Sequence, residues 1–367
     1  MRPLKVLAVA TYPVKAACTR LRIAQFLPLL RTHQVRVSLS SFLSDAAFER
    51  LYDRRRFAAN ALSIAGALLR RLLQVPRLAF IDLLFVQREA MLVGPPLFEW
   101  LARRVFRRPL VLDLDDATFL DQESPVYGRL ASLLKWRGKT DRLIDYADVV
   151  ICGSERIAAH VRGRGKPAVI LPTIVDTELF RPLPGRPADA LPVIGWVGSH
   201  STWPYFERII PVLERLARTH RFRVRVVGTG RDSVTIRGVE VENLRWEQSR
   251  EVDDFRTLDI GVYPLPPNDP WVEGKSGLKA IEYLSVGVPY VASPVGIVNA
   301  IGEPGRTHLL ATTDDEWYEA LSLLLRDPQA RRTMGAAGRD YALAHFRIED
   351  FAARIAAQIR DAAVATR

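Results

Sequence analysis

The chain has 367 residues, enough for about two domains that each bury a core. Apolar residues make up 48% and charged residues 25%, ordinary for globular proteins, and no uncharged run approaches the ~20 residues of a helix that spans a bilayer. A formal net charge of +11 predicts an anionic partner: nucleic acid, an anionic membrane surface or a phosphorylated small molecule. The arginines are scattered through helical patterns, without an aromatic-rich sheet or zinc-finger spacing, which argues against nucleic acid. Cys18 and Cys152 stand far apart and form no CxxC, as expected for reduced thiols and a cytoplasmic location.

In chain order, Lys5–Ala10 reads as a first buried strand and not as a signal peptide, since no small-residue cleavage site follows a long enough apolar run. A helix is expected over residues 20–31. Arg20 and Arg22 lie near its start, either as an anion-binding pair or as solvated surface arginines. Gln34–Leu39 reads as the second strand. Residues 44–74 form a long helical region in which arginines flank the apolar stretch Ala58–Leu69. Two readings stand: a domain helix with its apolar face in the core, or a helix lying on an anionic membrane surface.

Asp82–Gln87 is the next strand, Gly94–Val105 a helix, and Leu110–Asp113 a strand running into Asp115 and Asp116. Acids at the carboxyl end of a buried strand can ligate Mg2+ or Mn2+, bind acceptor hydroxyls or act as a base, or cap the next helix. Val149–Cys152 is a strand followed by Ser154, a natural N-cap, and Ala168–Leu171 is a strand that closes the first half. Pro182, Pro184, Gly185, Pro187 and Pro192 then form a proline-rich linker.

The second half restarts with the strand Val193–Val197 and Gly198-Ser199-His200. Gly198 permits close backbone approach, and Ser199 can donate to a phosphate. Arg223–Val227 ends in Gly228-Thr229-Gly230-Arg231, where Arg231 is a candidate clamp on a diphosphate. Strands follow at Val239–Leu244 and Ile260–Tyr263. The stretch Glu273–Gly296 then reads as loop, helix, glycine stop and buried strand. On its helix Lys275, Lys279 and Glu282, spaced by four and three, share a face. Two ammonium groups beside a helix start suit a diphosphate, and a carboxylate one turn on suits the hydroxyl pair of a ribose. A solvated Lys279–Glu282 ion pair on an amphipathic surface helix is the bland alternative. Helices over 314–325 and about 348–363 finish the chain.

Gly277-Leu278, Glu282-Tyr283, Gly287-x-Pro289 and Ala292-Ser293 together resemble the signature of retaining glycosyltransferases of the family-4 type. Pro172 to Phe180 is similar to that family's exit from its first domain, and Arg326-Asp327-Pro328 with Gly335 to Arg339 is similar to its terminal signature. The resemblance covers residues 193–346 and, more faintly, the first half. It implies an α/β protein of the GT-B fold, with two Rossmann-like domains. An acceptor domain would span 1–185 with the helix 348–367 packing back on it, and a donor domain 190–346. It also implies sugar transfer from a nucleotide-sugar co-substrate to a glycan, lipid-linked or small-molecule acceptor, with no metal or other cofactor. Lys275, Lys279 and Glu282 would form the catalytic set, with Gly198, Ser199 and Arg231 on the diphosphate and Glu282 on the ribose. Arg20, Arg22, Asp115 and Asp116 would lie on the acceptor side. In the family's Glu-x7-Glu pattern the first position falls here on Gly274, and a Lys-x3-Lys-x2-Glu pattern stands instead. A nucleotide-sugar 2-epimerase of the same fold and a non-catalytic membrane- or polyanion-binding protein are the alternatives.

Overall fold

The computed structural model describes residues 2–51, 53–120, 136–183 and 191–365. Pro184, Gly185 and Pro187 of the expected linker lie outside them. The chain divides into two compact units: Met1–Thr173 with Gly274–Ser276 and Glu349–Arg367, and Ile174–Glu273 with Gly277–Ile348.

The first unit is built on β1 (Leu4–Ala10), β2 (Val35–Ser41), β3 (Leu83–Gln87), β4 (Leu110–Leu114), β5 (Val149–Cys152) and β6 (Ala168–Ile170). All pairings are parallel, in the order β2-β1-β3-β4-β5-β6. β3, β4 and β5 are buried along their whole length, which is why they read as continuous apolar runs. Helices α1 (Ala17–Arg22), α2 (Leu27–Thr32), α3 (Asp45–Arg50), α4 (Phe57–Leu73), α5 (Leu97–Trp100), α6 (Lys139–Tyr146) and α7 (Glu155–Gly163) connect them.

The second unit has β7 (Val193–Val197), β8 (Arg223–Val227), β9 (Glu240–Leu244), β10 (Ile260–Tyr263), β11 (Tyr290–Ala292) and β12 (Leu309–Leu310), again all parallel, in the order β12-β11-β10-β7-β8-β9. Chain order reverses between β7 and β10, and ligands of such sheets bind beyond the carboxyl ends of the strands at that switch point. Helices α8 (Trp203–Glu207), α9 (Ile210–Leu216), α10 (Glu251–Arg256), α11 (Pro270–Glu273), α12 (Leu278–Ser285), α13 (Asp314–Arg326) and α14 (Pro328–His345) complete it. The last helix, α15 (Ile348–Ala365), groups from Glu349 onward with the first unit. There Arg354 donates to the Ile170 carbonyl at 3.0 Å and Arg360 to that of His33 at 3.1 Å.

Several expected helices are shorter than the sequence pattern suggested. The one expected over 20–31 breaks into α1, a 3-10 turn at Ala24–Phe26 and α2, where Pro28 sits in the first turn and has no N–H to continue a ladder. The region 44–74 divides into α3, capped by Ser44 accepting from the Ala47 N–H, and α4. The helix expected from Gly94 starts only at Leu97, after Pro95 and Pro96. Ser154 holds the N-cap position of α7 without capping it, because its hydroxyl donates to the Gly274 carbonyl at 3.1 Å.

Candidate donor site in the second sheet

The loops after β7 and β8 meet backbone to backbone. Gly228 has φ 80°, and a Cβ there would stand 2.3 Å from the Gly198 carbonyl oxygen. A Cβ on Gly198 would in turn overlap the Trp196 ring at 2.2 Å. Two glycines are therefore required for these strand ends to close on each other. Beyond them opens a cavity of about 540 Å³ lined by Gly198, Ser199, His200, Gly230, Arg231 and Trp246, among others. Gly198, Ser199 and Arg231, separated in sequence, thus share one wall.

The polar groups of this wall are ordered locally. The Ser199 N–H donates to the Thr202 hydroxyl at 3.1 Å, and the Ser199 and Ser201 hydroxyls lie 2.9 Å apart. Thr229 donates to Asn243 Oδ1 at 3.0 Å and accepts from the Arg231 N–H at 3.0 Å, while Asn243 Nδ2 donates to the Arg231 carbonyl at 3.0 Å. This ring of bonds fixes the Arg231 backbone and leaves its guanidinium more than half exposed, with Glu207 at 3.3 Å. An exposed pair of that kind is weak and gives way to a stronger anion.

α12 opens at Gly277, its N-cap at φ 70°, and no side chain caps it; the helix therefore begins after Lys275, which does not share its face with Lys279 and Glu282 as expected. The helix ends as expected: Gly287 is left-handed at φ 66°, and the N–H groups of Gly287 and Val288 reach back to Leu284 and Tyr283 at 3.0 Å each. Lys279 and Glu282 form an ion pair at 2.9 Å, but it is not the solvated pair of a surface helix. Glu282 is fully buried, and Lys279 Nζ stands 4.9 Å from the Phe255 ring centroid with its side chain 24% exposed. Glu282 therefore presents its carboxylate to Lys279 and not to open solvent. Neither residue lines the cavity described above. Lys275 belongs to the short segment Gly274–Ser276 that groups with the first unit.

Behind α12 runs a file of rings that the sequence pattern does not reveal. Phe255 meets Tyr283 edge-on at 5.2 Å, Tyr283 stacks on Tyr290 at 5.5 Å, and Tyr290 stacks on His308 at 4.8 Å. The Tyr283 hydroxyl donates to the Gly195 and Val262 carbonyls at 3.2 Å each, pinning the helix to β7 and β10. Burial pushes His308 down to about 4, so it is neutral at neutral pH. Because the folded value lies below the unfolded 6.5, this group contributes stability that is complete above pH 6.5 and is lost as pH falls towards 4. The full loss is roughly 3 kcal/mol. Denaturation curves of His308→Phe, measured between pH 4 and 7, should show this slope removed.

In the first unit three of the expected acceptor-side residues are taken up by internal ion pairs, Arg22 with Asp113, and Asp115 and Asp116 with Arg88. Arg22 is buried, with Nε 3.0 Å from Asp113 Oδ2, a further contact from Nη2 to Oδ1, and Nη1 donating to the Leu171 carbonyl at 2.7 Å. It is thus a core ion-pair partner and not an open anion site, because α1 turns it inward onto β4. Arg20 stays partly exposed, its Nη1 3.5 Å from the Lys15 carbonyl. Asp115 and Asp116 both meet Arg88, at 2.6 Å for Asp115 Oδ1 and closely for Asp116. Burial opposes ionisation of Asp115, but the Arg88 guanidinium outweighs it and holds the carboxyl below its usual value. Arg88 itself sits at φ 61°, a strained setting for a side-chain-bearing residue. Sequence reasoning missed it, although an arginine directly after β3 stands at the same sheet end as the acids. Lys139 reaches Glu89 at 2.8 Å beside them. Burial pushes the Cys18 thiol up to about 11, so it stays protonated.

Residues 191–327 match the family model of glycosyl transferases group 1, which supports glycosyltransferase activity. A search of curated proteins finds no match. Among solved structures, sucrose-phosphate synthase from Thermosynechococcus elongatus is 16% identical with a TM-score of 0.67, and the alignment covers all of both chains. A glycosyltransferase from Rickettsia africae is 12% identical with a TM-score of 0.69, covering 98% of this chain and 99% of that one. Anabaena HepE in complex with UDP-glucose is 16% identical with a TM-score of 0.63, covering 98% and 100%. These likenesses give the chain the GT-B fold.

Proposed function

We propose that this chain moves a sugar from a nucleotide-diphosphate sugar to an acceptor hydroxyl, with retention at the anomeric carbon and without a resident metal. The observation that carries the reading is the cavity at the carboxyl ends of β7 and β8, where Gly198, Ser199 and Arg231 meet within the segment that matches the family. Glycines that bring backbone close, a hydroxyl and a half-exposed guanidinium suit a diphosphate. The chemical step needs fixed positive charge on the leaving diphosphate, and Arg231, Lys275 and Lys279 are the groups assigned to it. Lys279 turns from Glu282 to the phosphate, and the carboxylate it uncovers accepts from the ribose hydroxyls. The donor side would be residues 190–346 and the acceptor side 1–185 with the last helix.

The acceptor is a glycan, a lipid-linked sugar or a small molecule, in polysaccharide or glycoconjugate synthesis on the cytoplasmic side of a membrane. HepE was solved with UDP-glucose, so UDP-sugars are the first donors to test. In a thermal-shift panel of nucleoside diphosphates and nucleotide sugars, one donor should raise the melting temperature, by the equivalent of about 2.7 kcal/mol at a hundredfold excess over Kd. Arg231→Ala should weaken that donor about tenfold or more, and turnover should survive excess chelator. If no nucleotide of any base shifts the melting point, the donor assignment fails.

A further inference from the structure

The face of α4 that points away from the core is apolar along its length. Leu62, Leu69, Leu72 and Leu73 are 76, 60, 45 and 72% exposed, and Phe80, in the 3-10 turn that follows, is 76% exposed. At 100° per residue, positions 58, 62, 65, 69, 72 and 73 fall within one side of the helix, so these side chains form a stripe and not scattered exceptions. The opposite side is locked. Arg71 is buried and donates to the Ala90 and Ser40 carbonyls at 3.0 Å and to Gln74 Oε1 at 2.8 Å, and Asn60 donates to the Arg50 carbonyl at 2.9 Å. The helix cannot roll its leucines inward without breaking these bonds. Residues 55–81 contain no acid, and Arg55, Arg56, Arg70 and Arg77 are exposed towards the two ends of the stripe, with Arg70 also donating to the Ser41 and Phe42 carbonyls.

We propose that this face docks on an anionic phospholipid surface, with the leucines and Phe80 entering the headgroup boundary and the arginines meeting the phosphates. Charge decides the occupant: an apolar stripe flanked by four arginines, with Asp53 3.6 Å from Arg56, carries a net positive frame that fits an anionic lipid leaflet. The inference is independent of the sugar-transfer reading, because its readout involves no donor.

The test is flotation of the full chain with vesicles of phosphatidylglycerol and phosphatidylcholine, against vesicles of phosphatidylcholine alone. Binding to the anionic vesicles is expected, falling as salt rises from about 0.1 to 0.5 M. Leu62→Ser/Leu69→Ser/Leu73→Ser should reduce partition at least about tenfold, with an unchanged circular dichroism spectrum because all three side chains are exposed. Equal binding by the variant, or no preference for anionic vesicles, overturns the proposal. So does a concentration-dependent dimer that the variant abolishes while vesicles are ignored, since the stripe would then cover a second copy of the chain.

Discussion

Lys279→Met is expected to reduce donor turnover by roughly a hundred- to a thousandfold, the scale of removing one preorganised charge from a developing anion. It should also cost stability, because it takes away the ammonium 2.9 Å from the fully buried Glu282. Breaking a buried pair from one side costs about 3–5 kcal/mol, and the partial exposure of Lys279 places this one nearer 2–3 kcal/mol. The two effects separate in the double variant Lys279→Met/Glu282→Gln. Removing both charges should return the melting temperature close to that of the parent, since a neutral pair has no desolvated charge to balance. Turnover should stay low, because the diphosphate still lacks its ammonium. A double variant with parental turnover would show that the pair is purely structural and would remove Lys279 from the site. Assays belong below the melting point of the single variant, so that loss of fold does not imitate loss of chemistry.

The second large effect is expected at Arg88. Its guanidinium lies against two carboxylates, Asp115 and Asp116, of which Asp115 is nearly buried. Arg88→Met leaves both without that charge and should cost roughly 3–5 kcal/mol at neutral pH. The pH dependence gives the cause away. In the parent chain Asp115 ionises below its unfolded value, so the interaction stabilises the fold above about pH 4 and is lost as acid protonates the carboxylate. In the variant burial acts unopposed by Arg88 and favours the protonated form. The gap between parent and variant should therefore narrow as pH falls from 6 to 3. Urea denaturation at pH 3, 4.5 and 7 measures it, and a gap independent of pH would mean that lost packing, and not lost charge, is responsible. Asp115→Asn on top of Arg88→Met should recover part of the loss.

Much of the architecture could be read in advance. β5, β7, β8 and β10 have the boundaries expected from the sequence: β5, β7 and β10 are short runs buried along their length, β8 sets buried valines against half-buried Arg223 and Arg225, and glycine or proline follows each strand. Helix lengths were less legible, since Pro28, Pro95 and Pro96 act on hydrogen-bond ladders that periodicity does not register. The ring file from Phe255 to His308 also escaped, as it joins residues from α10, α12, β11 and the loop before β12 that share no spacing.

For the candidate site the division is one of range. The residue types and their places at strand ends follow from the sequence alone: Gly198, Ser199 and Arg231 after two strands, Lys279 and Glu282 three apart on a helix, and Asp115 and Asp116 after a third strand. Local spacing determines which side of a strand or helix a group occupies. The tertiary structure decided each charge's partner. It turned Arg22 inward to Asp113, set Arg88 between two acids, and buried Glu282 behind Lys279. Pairing of that kind depends on which strands become neighbours and how deeply each group is desolvated, and both are settled only when distant segments pack.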